Sequence, residues 1–271
     1  MSYTRTLAIG SQKGGVGKTT TVVNLAAWLA LLKQKVLVID FDPQGSTTRC
    51  LGMTQNVSRG MKELFEAGSL ELVREDSITD FVFDTSIENL SLVPANIQSS
   101  DTELWLNEQA SKDPDLLKNV VDLVLPDFDF ILIDAPPSLS ALPRMAFGAA
   151  DSLLVPLQCE QMALSTMPRL IELIKTVQKS INPYLTIEGI LLTLYDKDAP
   201  SSHVLLEQAR AHFGALLFPE VVPRDSRLSG ATAAGRPVVL YDMHSVGSLA
   251  YRKLAERLIE KHRASGTAAN P

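Results

Sequence analysis

Residues 10–20 read GSQKGGVGKTT, set between the short apolar run TLAIG (6–10) and the long apolar stretch TTVVNLAAWLALLK (20–33). Gly14, Gly15 and Gly17 let a backbone pass close to a bound group and take conformations that other residues avoid. Placed between a buried strand and a helix, such a loop gathers backbone N–H groups around an anion, with the positive end of the helix behind them. The stretch nearly matches G-x-x-x-x-G-K-[ST], in which the lysine reaches the β- and γ-phosphates and the hydroxyl holds magnesium. Lys18 and Thr19 take those two places. The departure is at the front: Gln12 stands where the first glycine belongs, and a second lysine, Lys13, lies five residues before Lys18.

The rest of the chain agrees with a strand–loop–helix opening. KVLVIDFD (35–42), DFDFILIDAPPSLS (127–140), DSLLVPL (151–157) and IEGILLTLY (187–195) each contain a Val/Ile/Leu-rich run, the pattern of strands buried on both faces. NLSLVPAN (89–96) reads as a further strand. Strand runs alternating with stretches of helical period predict an α/β fold, a doubly wound and mainly parallel sheet flanked by helices. Between Lys62 and Glu88 eight acidic residues outnumber two basic ones, which predicts surface helices and loops. SLAYRKLAERLIEKH (248–262) predicts a closing helix with Leu249, Tyr251, Leu254, Leu258 and Ile259 near one face. We expect one domain over residues 1–263, followed by a flexible tail over 264–271.

Composition narrows the function classes. No run approaches the roughly 18–20 apolar residues of a membrane span, and the first apolar run starts too early for a signal peptide. Cys50 and Cys159 lie far apart in apolar contexts, as structural cysteines do, and a reduced, cytoplasmic location is expected. The formal net charge is −6, but residues from Arg224 onward carry a net of +4 and the remainder −10. An acidic protein of this kind can still present one basic face.

Asp40 and Asp42 close the second strand, and residues two apart on an extended chain point the same way. At the carboxyl end of a strand beside a phosphate loop, that way is the ligand crevice. Asp134 ends the strand ILID in the same manner.

KGGVGKTT, with its leading Lys13, resembles the deviant Walker A loop of the ParA/MinD group of P-loop ATPases. NLAAWLA, VLVIDFDPQGSTT, SLVPAN, FILIDAPPSLS, ADSLLVPLQCEQMAL and VVPRDSRLSGATAAGRPVVLYD fall in the order of ParA (Soj-like) partition ATPases, so the resemblance spans roughly residues 5–260. It implies ATP held by Lys13, Gly14, Gly15, Val16, Gly17, Lys18, Thr19, Thr20 and Pro223. It implies Mg²⁺ near Thr19, Asp40 and Asp134, the last acting through water. Lys13, Lys18 and Asp42 are the implied catalytic residues, with Asp42 orienting the attacking water. Lys13 crosses to the nucleotide of a second subunit in that group, so a homodimer sandwiching two ATP molecules is implied. Two segments depart from the family pattern: KDAPSS (197–202) where R-T-N-L-S is common, and SGATA (229–233) where S-E-A-P-S is common.

The resemblance further implies slow ATP hydrolysis stimulated by a ParB-like or other adaptor, and non-specific DNA binding that places the protein on the nucleoid. Arg224 and Arg227 in PRDSR, then Arg252, Lys253 and Arg257 on the closing helix, are the candidate phosphate contacts. Such contacts add affinity without sequence information. We expect no helix-turn-helix module ahead of the first strand. Three relatives of the same group fit less well. A MinD-like membrane switch needs a bulky, lysine-rich amphipathic end, whereas here Glu256 and Glu260 interrupt the bases. An iron–sulfur reductase needs paired cluster cysteines. A metabolic ligase would turn over ATP with a small acid or amine and ignore DNA.

Overall fold

A computed structural model of the chain describes residues 4–268 apart from 54–56, 58, 75–76, 97–99, 139 and 161–166. Eight strands form one sheet in the order β3-β4-β2-β5-β1-β6-β7-β8. They are β1 (Arg5–Ile9), β2 (Val36–Asp40), β3 (Phe83–Asp84), β4 (Leu90–Val93), β5 (Phe130–Asp134), β6 (Ser152–Gln158), β7 (Thr186–Tyr195) and β8 (Leu217–Pro223). Every pairing is parallel except that of the two-residue β3 with β4. The expected doubly wound sheet is present. Strands β1, β2 and β5 are buried almost throughout, which is why they read as continuous apolar runs.

Helices cover both faces. On one lie α1 (Lys18–Leu31) and α11 (Val246–Ala268), with the short α9 (Ser226–Ala233) and α10 (Val238–Tyr241). Trp28 Nε1 donates to Ser248 Oγ at 3.2 Å, and Tyr251 and Thr21 share a hydroxyl contact at 3.1 Å. These bonds fasten α11 across α1. On the other face lie α3 (Met61–Arg74), α4 (Ser100–Lys112), α5 (Leu116–Val124), α6 (Ala141–Gly148), α7 (Met167–Ser180) and α8 (Pro200–Phe213). The one-turn α2 (Ser46–Cys50) follows β2.

Three expectations change. The acidic stretch after Lys62 is not all surface: Leu64 and Phe65 of α3 are buried in the core with Leu106 and Leu117, because apolar residues interleave with the acids at helical spacing. Leu249 is 37% exposed although Tyr251, Leu254, Leu258 and Ile259 are buried. It lies one turn before Lys253 and shares that residue's outward direction. The helix also runs through Ala268, past residue 263 where a tail was expected. Gly266 alone is a weak breaker, and no proline intervenes before Pro271.

Candidate nucleotide site

Strand β1 lies between β5 and β6, the position at which a doubly wound sheet reverses direction and leaves a crevice at its carboxyl edge. The glycine loop follows β1 directly. Gly15 and Gly17 have φ of +76° and +86°, a left-handed conformation that a Cβ would strain. Gly17 is the N-cap of α1 and offers no side chain to its first turn, so the leading N–H groups of α1 are left for an anion. Thr193 Oγ1 donates to Val16 O at 2.8 Å and pins the loop to β7.

Parallel register places the carboxylates together: Asp40 stands opposite Asp134 across β2 and β5. Both are fully buried. Thr48 donates to Asp40 Oδ2 twice, from its N–H at 2.7 Å and its hydroxyl at 2.6 Å. Thr19 and Thr47 hydroxyls donate to Asp134 Oδ2 at 2.9 and 2.7 Å. The other oxygen of each carboxylate, Oδ1, is buried with no partner among the described residues. Burial is the main cause that pushes both carboxyls well above the usual carboxylate range, and for Asp40 the neighbouring Asp134 adds to it. Burial lowers the Lys18 ammonium, against the pull of Asp134 and Asp42. A buried acid with one idle oxygen costs free energy unless something positive meets it.

Magnesium fits that need. Mg²⁺ takes one or two carboxylates and completes its shell with water and substrate phosphate. The described residues hold no group of three or more His, Cys, Asp or Glu that would suit a self-sufficient metal site. The three residues expected around magnesium, Asp40, Asp134 and Thr19, lie next to one another. Asp42 is nearly buried, and its Oδ1 accepts from Gln44 N–H at 3.0 Å, bending the chain into α2.

A cavity of about 630 Å³ opens beside the loop, lined by Gly15, Gly17, Lys18, Thr19 and Thr20 together with Thr193, Arg224 and Thr232. Val16 is buried and Gly14 exposed, and neither lines it. Pro223 lines a neighbouring groove of about 670 Å³ with Tyr195, Val246 and Lys253. Alternation along β8 turns Val222 toward the nucleotide cavity and Pro223 away, while Arg224, just past the strand, lines both. Lys13 is ion-paired with Glu160 of its own chain. A larger cavity, about 1000 Å³, lies at the amino ends of the strands. Its polar groups serve the fold, for example Thr4 Oγ1 to Leu125 O and Asn182 Nδ2 to Ala150 O, so volume does not select the site.

The five candidate DNA contacts separate by their partners. Arg227 pairs with Asp225 and Asp242, Arg252 with Glu256, and Arg257 bidentately with Glu220. Arg224 and Lys253 are exposed, and among the described residues neither has an ion pair. Sequence reasoning missed Thr47, Thr48, Thr193 and Glu160, and it missed that Arg224 lines the nucleotide cavity. The pair Thr47–Thr48 directly after the DPQGS turn was a visible signal.

A left-handed glycine loop at the switch point of a parallel sheet, backed by paired acids, defines a P-loop nucleotide-binding protein. The chain matches the AAA domain family over residues 4–187. It is 39% identical to chromosome partitioning protein ParA of Caulobacter vibrioides over 261 residues, 96% of this chain and 95% of that protein. It is 38% identical to sporulation initiation inhibitor protein Soj of Bacillus subtilis, covering 93% of this chain and 97% of that one. The chain belongs to the ParA/Soj family of partition ATPases. Two solved structures are similar: cobyrinic acid a,c-diamide synthase from Mycobacterium smegmatis with bound ATP analog and magnesium, and MinD complexed with Mg-ADP from Pyrococcus horikoshii. The first has a TM-score of 0.78 at 31% identity, covering 97% of each chain. The second has a TM-score of 0.77 at 27% identity, covering 94% of this chain and 96% of that one. No helix among the described residues is long and apolar enough to cross a membrane.

Proposed function

We propose that this chain is an ATP-dependent dimerising switch. In this reading it binds DNA without sequence preference and hydrolyses ATP to segregate or position a chromosome, plasmid or other cargo. The observation that carries the nucleotide part is the facing pair Asp40 and Asp134, each with an idle buried oxygen, beside the uncapped start of α1. Full-length similarity to ParA and Soj supports the partition part.

Phosphoryl transfer asks mainly for positioning and charge neutralisation. Backbone N–H groups of the loop and of α1 bind the phosphates, and Lys18 neutralises them. Magnesium, when bound, would neutralise phosphate oxygens, held by Thr19, Asp40 and Asp134. Asp42 orients the attacking water and takes its proton. Lys13 leaves Glu160 and reaches the nucleotide of a second copy, so each site is completed across the dimer. A charge-assisted bond there is stronger than in water because the interface excludes solvent.

Arg224 and Lys253, the two of the five candidates with no ion pair among the described residues, supply the leading DNA contacts, with Arg227 joining when its acids release it. A ParB-like or other adaptor stimulates turnover and frees the dimer from the nucleoid. The likeness to the M. smegmatis synthase favours one rival, an ATP-dependent metabolic enzyme. Sedimentation with a non-hydrolysable ATP analogue and magnesium separates the two. A dimer that forms only with the analogue, and is lost in Lys13→Ala, supports the switch. A monomer in every nucleotide state contradicts it.

A further inference from the structure

Thr48 does more than occupy the first turn after DPQGS. Its hydroxyl donates to Asp40 Oδ2 at 2.6 Å and accepts from Ala95 N–H at 3.2 Å, while its own N–H donates to the same carboxylate oxygen at 2.7 Å. Asp40 is fully buried, and Oδ1 is its one oxygen left idle. Two bonds from one residue fix a carboxylate in rotation, so the direction of Oδ1 is set by Thr48.

The chain of contacts continues past Ala95, the last residue of the SLVPA run and the second beyond β4. Pro94 O accepts from Met61 N–H at 2.9 Å, at the start of α3. A Cβ on Gly60 would stand 2.4 Å from Pro94 O, so only glycine permits this approach. Glu63 Oε2 then accepts from Gly60 N–H and from Asn96 Nδ2, both at 2.8 Å. This closes the start of α3 onto residues 94–96, as a capping-box glutamate does. Three segments remote in sequence (46–48, 60–63 and 94–96) are thus bonded in series to one acid of the site.

We propose that Thr48 is a positioning residue: it aims the idle oxygen of Asp40 at the cation and couples that aim, through Ala95 and Pro94, to the start of α3 at Gly60–Glu63. The proposal rests on the nucleotide–magnesium reading above. It gives the SLVPAN segment a role in the site and makes α3 a place from which the site can be tuned. Groups that orient a metal ligand act on metal affinity even though they never touch the metal.

The test is a fluorescence titration of the full chain with a fluorescent ATP analogue, in excess magnesium and again in EDTA. Thr48→Val, Thr48→Ser and Glu63→Gln are compared with the wild type, the EDTA affinity serving as each protein's internal reference. The proposal expects Thr48→Val to lose about tenfold or more of the magnesium-dependent gain in affinity. Thr48→Ser should retain that gain. Glu63→Gln should lose a smaller part of it, although it lies outside the cavity. Four results would overturn the proposal: Thr48→Val keeping the full gain, Thr48→Ser losing as much as valine, the EDTA affinity falling equally, or Glu63→Gln matching the wild type. If Thr48→Val does not fold, Thr48→Ser and Glu63→Gln decide alone. Wild-type protein that fails to bind the analogue in either condition would instead remove the nucleotide reading, and the role of Thr48 with it.

Discussion

Lys13 and Glu160 form an ion pair within one chain, each side chain about one-third exposed. The lysine that answers the gap in the glycine motif is therefore held at home before a second subunit arrives. Partly exposed pairs of this kind contribute about 0.2–1 kcal/mol, small enough for a triphosphate to displace. Each of the two subunits gives up one such pair, so Glu160→Gln should raise the equilibrium constant for ATP-dependent dimerisation by up to about thirtyfold, measured by sedimentation equilibrium with a non-hydrolysable analogue. An unchanged or weaker dimer would mean that Glu160 does not restrain Lys13.

In the proposed mechanism Lys18 serves binding and Asp42 serves chemistry. Lys18→Ala removes a charged hydrogen-bond donor from the phosphate cavity, a loss of about 1.5–3 kcal/mol, or roughly ten- to a hundredfold in nucleotide affinity. Asp42→Ala should leave affinity and dimerisation near wild type and slow stimulated turnover by about 10²–10⁴-fold, the range of a positioned general base. Equilibrium binding and phosphate release measured on both variants check this. Normal turnover in Asp42→Ala would remove its assigned role.

Glu188 gives a pH-dependent test of stability away from the site. It is buried at the far end of β7, where it meets Arg5 at 2.8 Å, Ser152 Oγ at 2.7 Å and Lys261. Burial opposes its charge, but hydrogen bonds from Lys261, Arg5 and Ser152 outweigh burial and hold the carboxyl below the usual range. A lowered folded-state value contributes stability above the unfolded pKa, about 4.3 for glutamate, and loses it as pH falls through the folded value. Glu188→Gln should cost roughly 1–3 kcal/mol at pH 7. The gap in thermal midpoint from the wild type should close as pH falls below about 4.3. A gap that stays constant to pH 3 would contradict the ion-pair account.

Partners within the chain rank the basic residues. Arg257 is held by both oxygens of Glu220, whereas Arg224 and Lys253 have no ion pair among the described residues. Arg224→Ala and Lys253→Ala should each lower the slope of log affinity for duplex DNA against log salt by about 0.9 for every phosphate contact removed, or about 1.8 where both subunits of the dimer make it. Arg257→Ala should leave that slope unchanged. Arg224→Glu with Arg227→Glu should weaken binding at every sequence tested. Equal slopes in all variants would move the DNA face elsewhere.

The glycine loop, the two Asp-terminated strands and the parallel sheet were legible because each rests on local pattern: apolar runs, a glycine cluster, an acid at a strand end. β8 was not, since LFPEVVP carries two prolines and a glutamate. At the edge of the sheet, where one side of the ladder is unpaired, proline is tolerated. Thr47 and Thr48 stood in plain view after DPQGS, but their partners were illegible for a different reason. Thr47 meets Asp134 across 87 positions and Thr48 meets Ala95 across 47, and only the sheet order brings them together. Arg257 meets Glu220 across 37 positions in the same way, and Arg227 is held by its near neighbour Asp225 as well as by Asp242, so a count of late basic residues overstated the free positive charge.

Binding to a random-sequence DNA duplex, measured without nucleotide and with ADP, ATP or a non-hydrolysable analogue over a salt series, tests the switch most directly. The account predicts binding only in the ATP-like states, falling steeply as salt rises. Equal binding in all nucleotide states, or none in any state while the analogue still drives dimerisation, would contradict it.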